Sequence, residues 1–138
     1  MTSTAISPIT ASLYVAIGGA TGAVLRYHLG RAVTYYYAQG SNFPWATFSI
    51  NIVGSLCMGL LLGWIARSTQ PAQFNESISL FLGVGLLGGF TTFSAFSAEL
   101  ITLAHRGHLI LTFTYGSLSL VAGMIAFLIG LIAIQGLQ

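Results

Sequence analysis

A chain of 138 residues with 55% hydrophobic and 4% charged side chains, and no lysine, cannot clothe a soluble domain, which carries about 25% charged residues. Its net charge of +2 is too small and too scattered for nucleic acid, and the pI near 9.0 reflects scarce ionisable groups, not a basic patch. The composition defines an integral membrane protein.

Four apolar stretches each reach the roughly 20 residues that cross a bilayer. They are predicted as helices at about 11–31, 43–66, 78–105 and 109–134. The connections at 35–42, 67–77 and 106–108 are short, so residues 1–138 read as one all-α, four-helix membrane domain with 1–8 frayed. The first stretch has no Lys or Arg before Arg26, unlike a signal peptide, and is expected to stay in the mature protein. Gly18 and Gly22 lie four residues apart in it, a spacing that lets membrane helices approach closely. Arg26, near its far end, either snorkels to the interface or gives a wet vestibule a positive potential.

The second stretch is uncharged and repeats the small-residue spacing at Ser55, Gly59 and Gly63. Asn51 lies inside it, where an amide either bonds to a neighbouring helix or donates to a passing anion. The lone Cys57 cannot form an intrachain disulfide and reads as a small buried hydrophobe.

The third stretch holds "GGFTTFSAFSAE" at 88–99, a run of glycines, hydroxyls and one carboxyl group inside apparent lipid. Gly88, Gly89, Thr91 and Thr92 are poor helix formers. Two readings stand: a close glycine contact in a continuous helix, or a mid-membrane break whose freed carbonyls favour a hard cation such as Na⁺. Beyond them, Phe90, Phe93, Phe96 and Glu99 recur every three residues and share one broad face, with Ser94 and Ser97 beside it. Phenylalanine stripes pack cores, but the positive edges of their rings also attract anions. A carboxyl group such as Glu99 within a span is rare and marks function. In the fourth stretch Tyr115 and Ser119, one turn apart, extend a polar track or cross-link helices.

His28, His105 and His108 fall near span ends without metal-ligand spacing, and no nucleophile with its base or phosphate loop is present, so no catalytic residue is expected. Arg67 on one side faces Arg106 and Arg31 on the other, which barely orients the chain and permits insertion both ways. Four helices with small faces enclose little, so an oligomer is expected.

Three motifs carry a resemblance: "GGATGAVLRY" at 18–27, "PWATFSINIVGS" at 44–55 and "GGFTTFSAFSAE" at 88–99. With them the chain resembles the Fluc (CrcB) family of bacterial fluoride channels over nearly its whole length. The resemblance implies a passive fluoride channel of the bacterial inner membrane. It implies a dual-topology antiparallel homodimer with two pores, surrounded by lipid, and a third helix broken at mid-membrane. A central structural Na⁺ would be held by the backbone carbonyls of Gly88 and Thr91. Asn51, Phe93, Phe96, Ser94, Ser97, Tyr115, Ser119 and Glu99 would line the fluoride pore, and Arg26 and Thr47 the vestibule. Ala95 departs from the threonine common at its position, which removes one hydroxyl. Two other classes fit four spans: a small multidrug-type proton-coupled antiporter, which would need a carboxylate where the first helix has only Arg26, and a non-transporting membrane scaffold.

Overall fold

The structure is a computed structural model that describes residues 6–136, whose regular elements are all helical. Helix α1 spans Pro8–Tyr37, longer at both ends than the predicted 11–31. Ser7 begins it: its Oγ accepts the Thr10 N–H at 3.2 Å, and Pro8 occupies the first turn, where a missing N–H costs nothing. The expected fraying therefore does not extend to residues 6–8, and for residues 1–5 it lies outside the described residues. Helix α2 spans Trp45–Arg67, after a turn in which Gly40 takes φ 77°.

Helix α3 covers residues 72–90 and starts before the predicted 78. It opens as an α-helix over Ala72–Ile78, widens to a π-helix over Ser79–Leu87 and closes as an α-turn over Gly88–Phe90. The Gly88 N–H reaches back five residues to the Gly83 carbonyl as well as to Gly85, the signature of the wider turn. Thr91 and Thr92 are extended, with φ/ψ of −79°/159° and −149°/113°. Helix α4 then runs Phe93–His105, Gly107 turns at φ 80°, and α5 runs Leu109–Gln135. The glycines of the 88–99 run thus stay helical, and the extended backbone falls on the two threonines, whose β-branched side chains suit that conformation. By length and composition four helical units can cross a membrane: Pro8–Tyr37, Trp45–Arg67, Ala72–His105 and Leu109–Gln135.

Packing follows the glycines in two pairs of helices. Helices α2 and α5 share the most extensive interface, and α1 lies along the π-helical part of α3. A Cβ on Gly59 would meet the Phe127 carbonyl and one on Gly130 the Leu56 carbonyl, so each helix seats its backbone in the other. Gly18 and Gly22 do the same against Phe81 and Leu86, and Gly85 and Gly89 return the contact at Gly18 and Gly19. Such approach replaces the hydrophobic drive that is lacking between helices in lipid. The outer faces carry Ile9, Ile17, Val24, Leu120 and Met124, all more than half exposed. Arg67 donates to the Ile134 carbonyl and ties the end of α2 to the end of α5.

Candidate functional site

The site is built where α3 stops. The Thr92 N–H donates to Asn51 Oδ1 at 2.9 Å, and Asn51 Nδ2 donates to the Thr92 carbonyl at 3.2 Å. One amide side chain from α2 thus satisfies both backbone groups of an extended residue, which would otherwise be costly in apolar surroundings. Thr92 also begins α4: its Oγ1 accepts the Ala95 N–H at 3.3 Å.

These two bonds have a consequence for the carbonyls. In a continuous α-helix the Thr92 and Ala95 amides would close onto Gly88 and Thr91, four residues back. Here Asn51 takes the first amide and the Thr92 hydroxyl the second. The Gly88 and Thr91 carbonyls, the pair expected to hold Na⁺, are therefore freed, and Gly88 lies exposed at the surface of the chain. Arg26 Nη1 donates to the Thr91 carbonyl at 3.3 Å, so a positive group already sits on this oxygen. Carbonyl oxygens are the ligand type a hard cation takes, but the guanidinium on Thr91 would have to give way for one to bind there. Two carbonyls beside a guanidinium are too few to hold one alone, and a second copy would have to supply more oxygens.

Arg26 and Thr47, the expected vestibule pair, do line one cleft, of about 950 Å³, together with Arg31, Thr92 and Ser94. Arg26 does not snorkel freely; Thr91 anchors it. Arg31 donates to the Tyr27 hydroxyl at 3.0 Å, with its guanidinium over the same ring. Among the described residues no carboxyl group lines this cleft.

Glu99 sits one layer below. Thr47 Oγ1 donates to its Oε1 at 2.6 Å and the Tyr115 hydroxyl donates to its Oε2 at 2.7 Å. Tyr115 is 0% exposed and its ring meets Phe96 at 5.2 Å and Phe43 at 5.3 Å between centroids. Tyr115→Phe removes one of the two hydroxyls that the half-buried Glu99 carboxyl group accepts from. The expected cost is about 1–3 kcal/mol, read as a lower melting temperature in detergent. An unchanged melting temperature would show that Glu99 finds another donor.

The phenylalanine face divides. Phe90 is buried and precedes the extended threonines, which reset the helical phase, so it does not share a face with the residues after them. Phe93 is 78% exposed on the chain surface while Phe96 is 8% exposed, with their centroids 5.9 Å apart. Phe93 and Asn51 line one cleft of about 310 Å³ with Ser55, Thr91, Thr92 and Phe127. Ser119 is elsewhere, in a cleft of about 440 Å³ with Ser55, Gly123 and Phe127, and its buried Oγ has no hydrogen-bond partner among the described residues. Ser97 turns its hydroxyl back to the Phe93 carbonyl at 3.0 Å, and Ser94 lies within 3.4 Å of the Thr92 hydroxyl. The sequence reading counted Thr92 among the poor helix formers of the run but not among the site residues or as the start of a helix. The signal was there, since a threonine ahead of a helical run is a common start residue.

A membrane-embedded helical protein with a polar, carbonyl-rich interruption in one span is the class these features define. The sequence model of the family described as CrcB-like protein, Camphor Resistance (CrcB), matches residues 13–131. The fluoride-specific ion channel FluC of Novosphingobium aromaticivorans is 52% identical over 128 residues, covering 93% of this chain and 98% of that protein. Proteins of the same name from Sphingopyxis alaskensis and Hyphomonas neptunium are 46% and 44% identical, covering 89% and 86% of this chain and 94% and 91% of their own length. The chain belongs to the CrcB family.

Proposed function

We propose that this protein is a passive, fluoride-selective channel of the bacterial inner membrane, acting as an antiparallel pair of copies with two pores. The observation that carries the reading is the double hydrogen bond between Asn51 and Thr92. It holds Thr92 extended within the third span, takes from the Gly88 carbonyl its helical amide, and leaves Phe93 lining one cleft with Asn51. Relatives named fluoride-specific ion channel, alike over most of the chain, support it.

In this reading Gly88 and Thr91 of both copies hold a structural Na⁺, which supplies fixed positive charge and ties the copies together. Arg26 and Arg31 attract the anion to the wide cleft, where Ser94 offers it a hydroxyl and Thr47, whose proton goes to Glu99, lines the wall. Asn51 and the edges of Phe93 and Phe96 then replace its water with several weak donors. Weak donors suit passage, because an ion must leave as readily as it binds. Ser119 and Tyr115 continue the polar path, with Glu99 and Ser97 beside it. The exposed Phe93 and the apolar outer faces meet the second copy or lipid.

The driving force is external. Hydrogen fluoride crosses membranes neutral and dissociates in the less acidic cytoplasm. An inside-negative potential then drives the anion out with about 2.3 kcal/mol per 100 mV. Chloride must be excluded, or the potential collapses.

The test is efflux from liposomes loaded with potassium fluoride, with valinomycin carrying the countercharge and chloride-loaded vesicles alongside. Fast fluoride release without chloride release is expected. Release that requires an opposing proton gradient would indicate an antiporter, and no release from folded protein a scaffold. Phe93→Ile and Phe96→Ile keep bulk but lose the ring edge, and each should slow release about fivefold, the factor for losing one ring-edge contact of about 1 kcal/mol. Wild-type rates would return both rings to ordinary packing.

A further inference from the structure

The hydroxyl of Ser55 stands apart from the other helical hydroxyls near the site. Thr91 and Ser97 each donate to the carbonyl four residues back, at 2.9 and 3.0 Å, which satisfies the donor within its own helix. Ser55 makes no hydrogen bond among the described residues, and it is half-buried, not open at the surface. It lies one turn beyond Asn51 on α2, on the same side of the helix. It is also one of two residues, with Phe127, that line both the cleft of Asn51 and Phe93 and the cleft of Ser119.

What keeps this hydroxyl open is a glycine on α5. A Cβ on Gly123 would stand 3.5 Å from Ser55 Oγ, so the missing side chain leaves the space directly before the hydroxyl empty. Gly123 lines the same cleft, where the buried Ser119 Oγ also lacks a partner. Two hydroxyls without protein partners therefore face one small cavity between α2 and α5. In apolar surroundings an unmet donor is costly, so the groups demand a guest that accepts hydrogen bonds. A small, strongly accepting anion, or water moving with it, meets that demand.

We infer that Ser55 is a further pore residue, handing the anion from Asn51 and Phe93 to Ser119 through the gap that Gly123 leaves. The inference rests on the fluoride-channel reading. It gives the path a hydroxyl on α2, in a chain whose Ala95 lacks one on α4.

The experiment compares fluoride efflux from liposomes for the wild type, Ser55→Ala, Ser55→Thr, Gly123→Ala and the double variant Ser55→Ala/Gly123→Ala, each at equal dimer content and checked for melting temperature. Ser55→Ala should release fluoride about two- to tenfold more slowly, the factor for one lost hydrogen bond, with an unchanged melting temperature. Ser55→Thr, which keeps the hydroxyl, should restore release. Gly123→Ala should slow release in the wild-type background and add little once Ser55 is alanine, because both act on one group. Wild-type release from Ser55→Ala, or a Gly123→Ala effect that adds in full to it, overturns the assignment. If the wild type itself releases no fluoride, the channel reading falls instead.

Discussion

Asn51→Asp is expected to stop fluoride release. The asparagine amide gives its Nδ2 to the Thr92 carbonyl and takes the Thr92 N–H on its Oδ1. Aspartate keeps the second bond and turns the first into oxygen facing oxygen. It also places negative charge beside Phe93 in the cleft proposed for the anion. An uncompensated charge in such a place costs about 3–5 kcal/mol, which corresponds to a slowing of about a hundredfold or more. Efflux from liposomes measures it. The variant also weakens the clamp on Thr92, so its folded fraction is measured alongside. Folded Asn51→Asp with normal release would remove Asn51 from the pore. Asn51→Gln, with the amide kept on a longer stem, should lose less.

A second large effect is expected from the smallest possible change at α1. Gly22→Ala adds one Cβ against the Leu86 carbonyl and within 2.8 Å of the Phe90 nitrogen. Both are backbone atoms of α3, and neither can swing aside as a side chain would. The helices must separate, which costs about 1–3 kcal/mol from overpacking alone. Separation also shifts the turn that positions Gly88 and Thr91, since Phe90 is the last helical residue before the threonines. The expected result is a sharply lower yield of folded protein and loss of release from what remains. Gly116→Ala is the matched control. Its Cβ would meet only the Leu100 methyls, at 3.5 Å or more, and should leave yield and release unchanged. Equal behaviour of the two variants would mean that close backbone approach does not hold α1 to α3.

Particular residues show how far the chain could be read without its structure. The four spans were legible because hydropathy alone separates lipid-crossing segments from the few polar connections. The start of α1 was not, because a first turn fixed by Ser7 and Pro8 is a local capping event beside an uninformative terminus. The glycines of the tight contacts were visible as spacings, yet spacing did not say that Gly59 meets α5 and Gly22 meets α3. The 88–99 run allowed either a glycine contact in a continuous helix or an interruption, and left the place of an interruption open. The structure has the extended backbone at Thr91 and Thr92, where Asn51 offers Thr92 both a donor and an acceptor. The π-helix of Ser79–Leu87, which packs against α1, had no readable signal, since its apolar residues and glycines suit an ordinary helix equally well.

Read from the chain alone, the protein is a helical membrane protein with four spans, one of which carries polar groups. Those properties follow from composition and from spacing along a single helix. Only the tertiary structure decided that Glu99 is held by Thr47 and Tyr115, that Arg26 rests on Thr91, and that Phe93 faces outward while Phe96 is buried. It alone brought Ser55 opposite Gly123. Each of these is a meeting of helices distant in sequence. Such meetings depend on which backbones can approach closely, and helical periodicity carries no record of them.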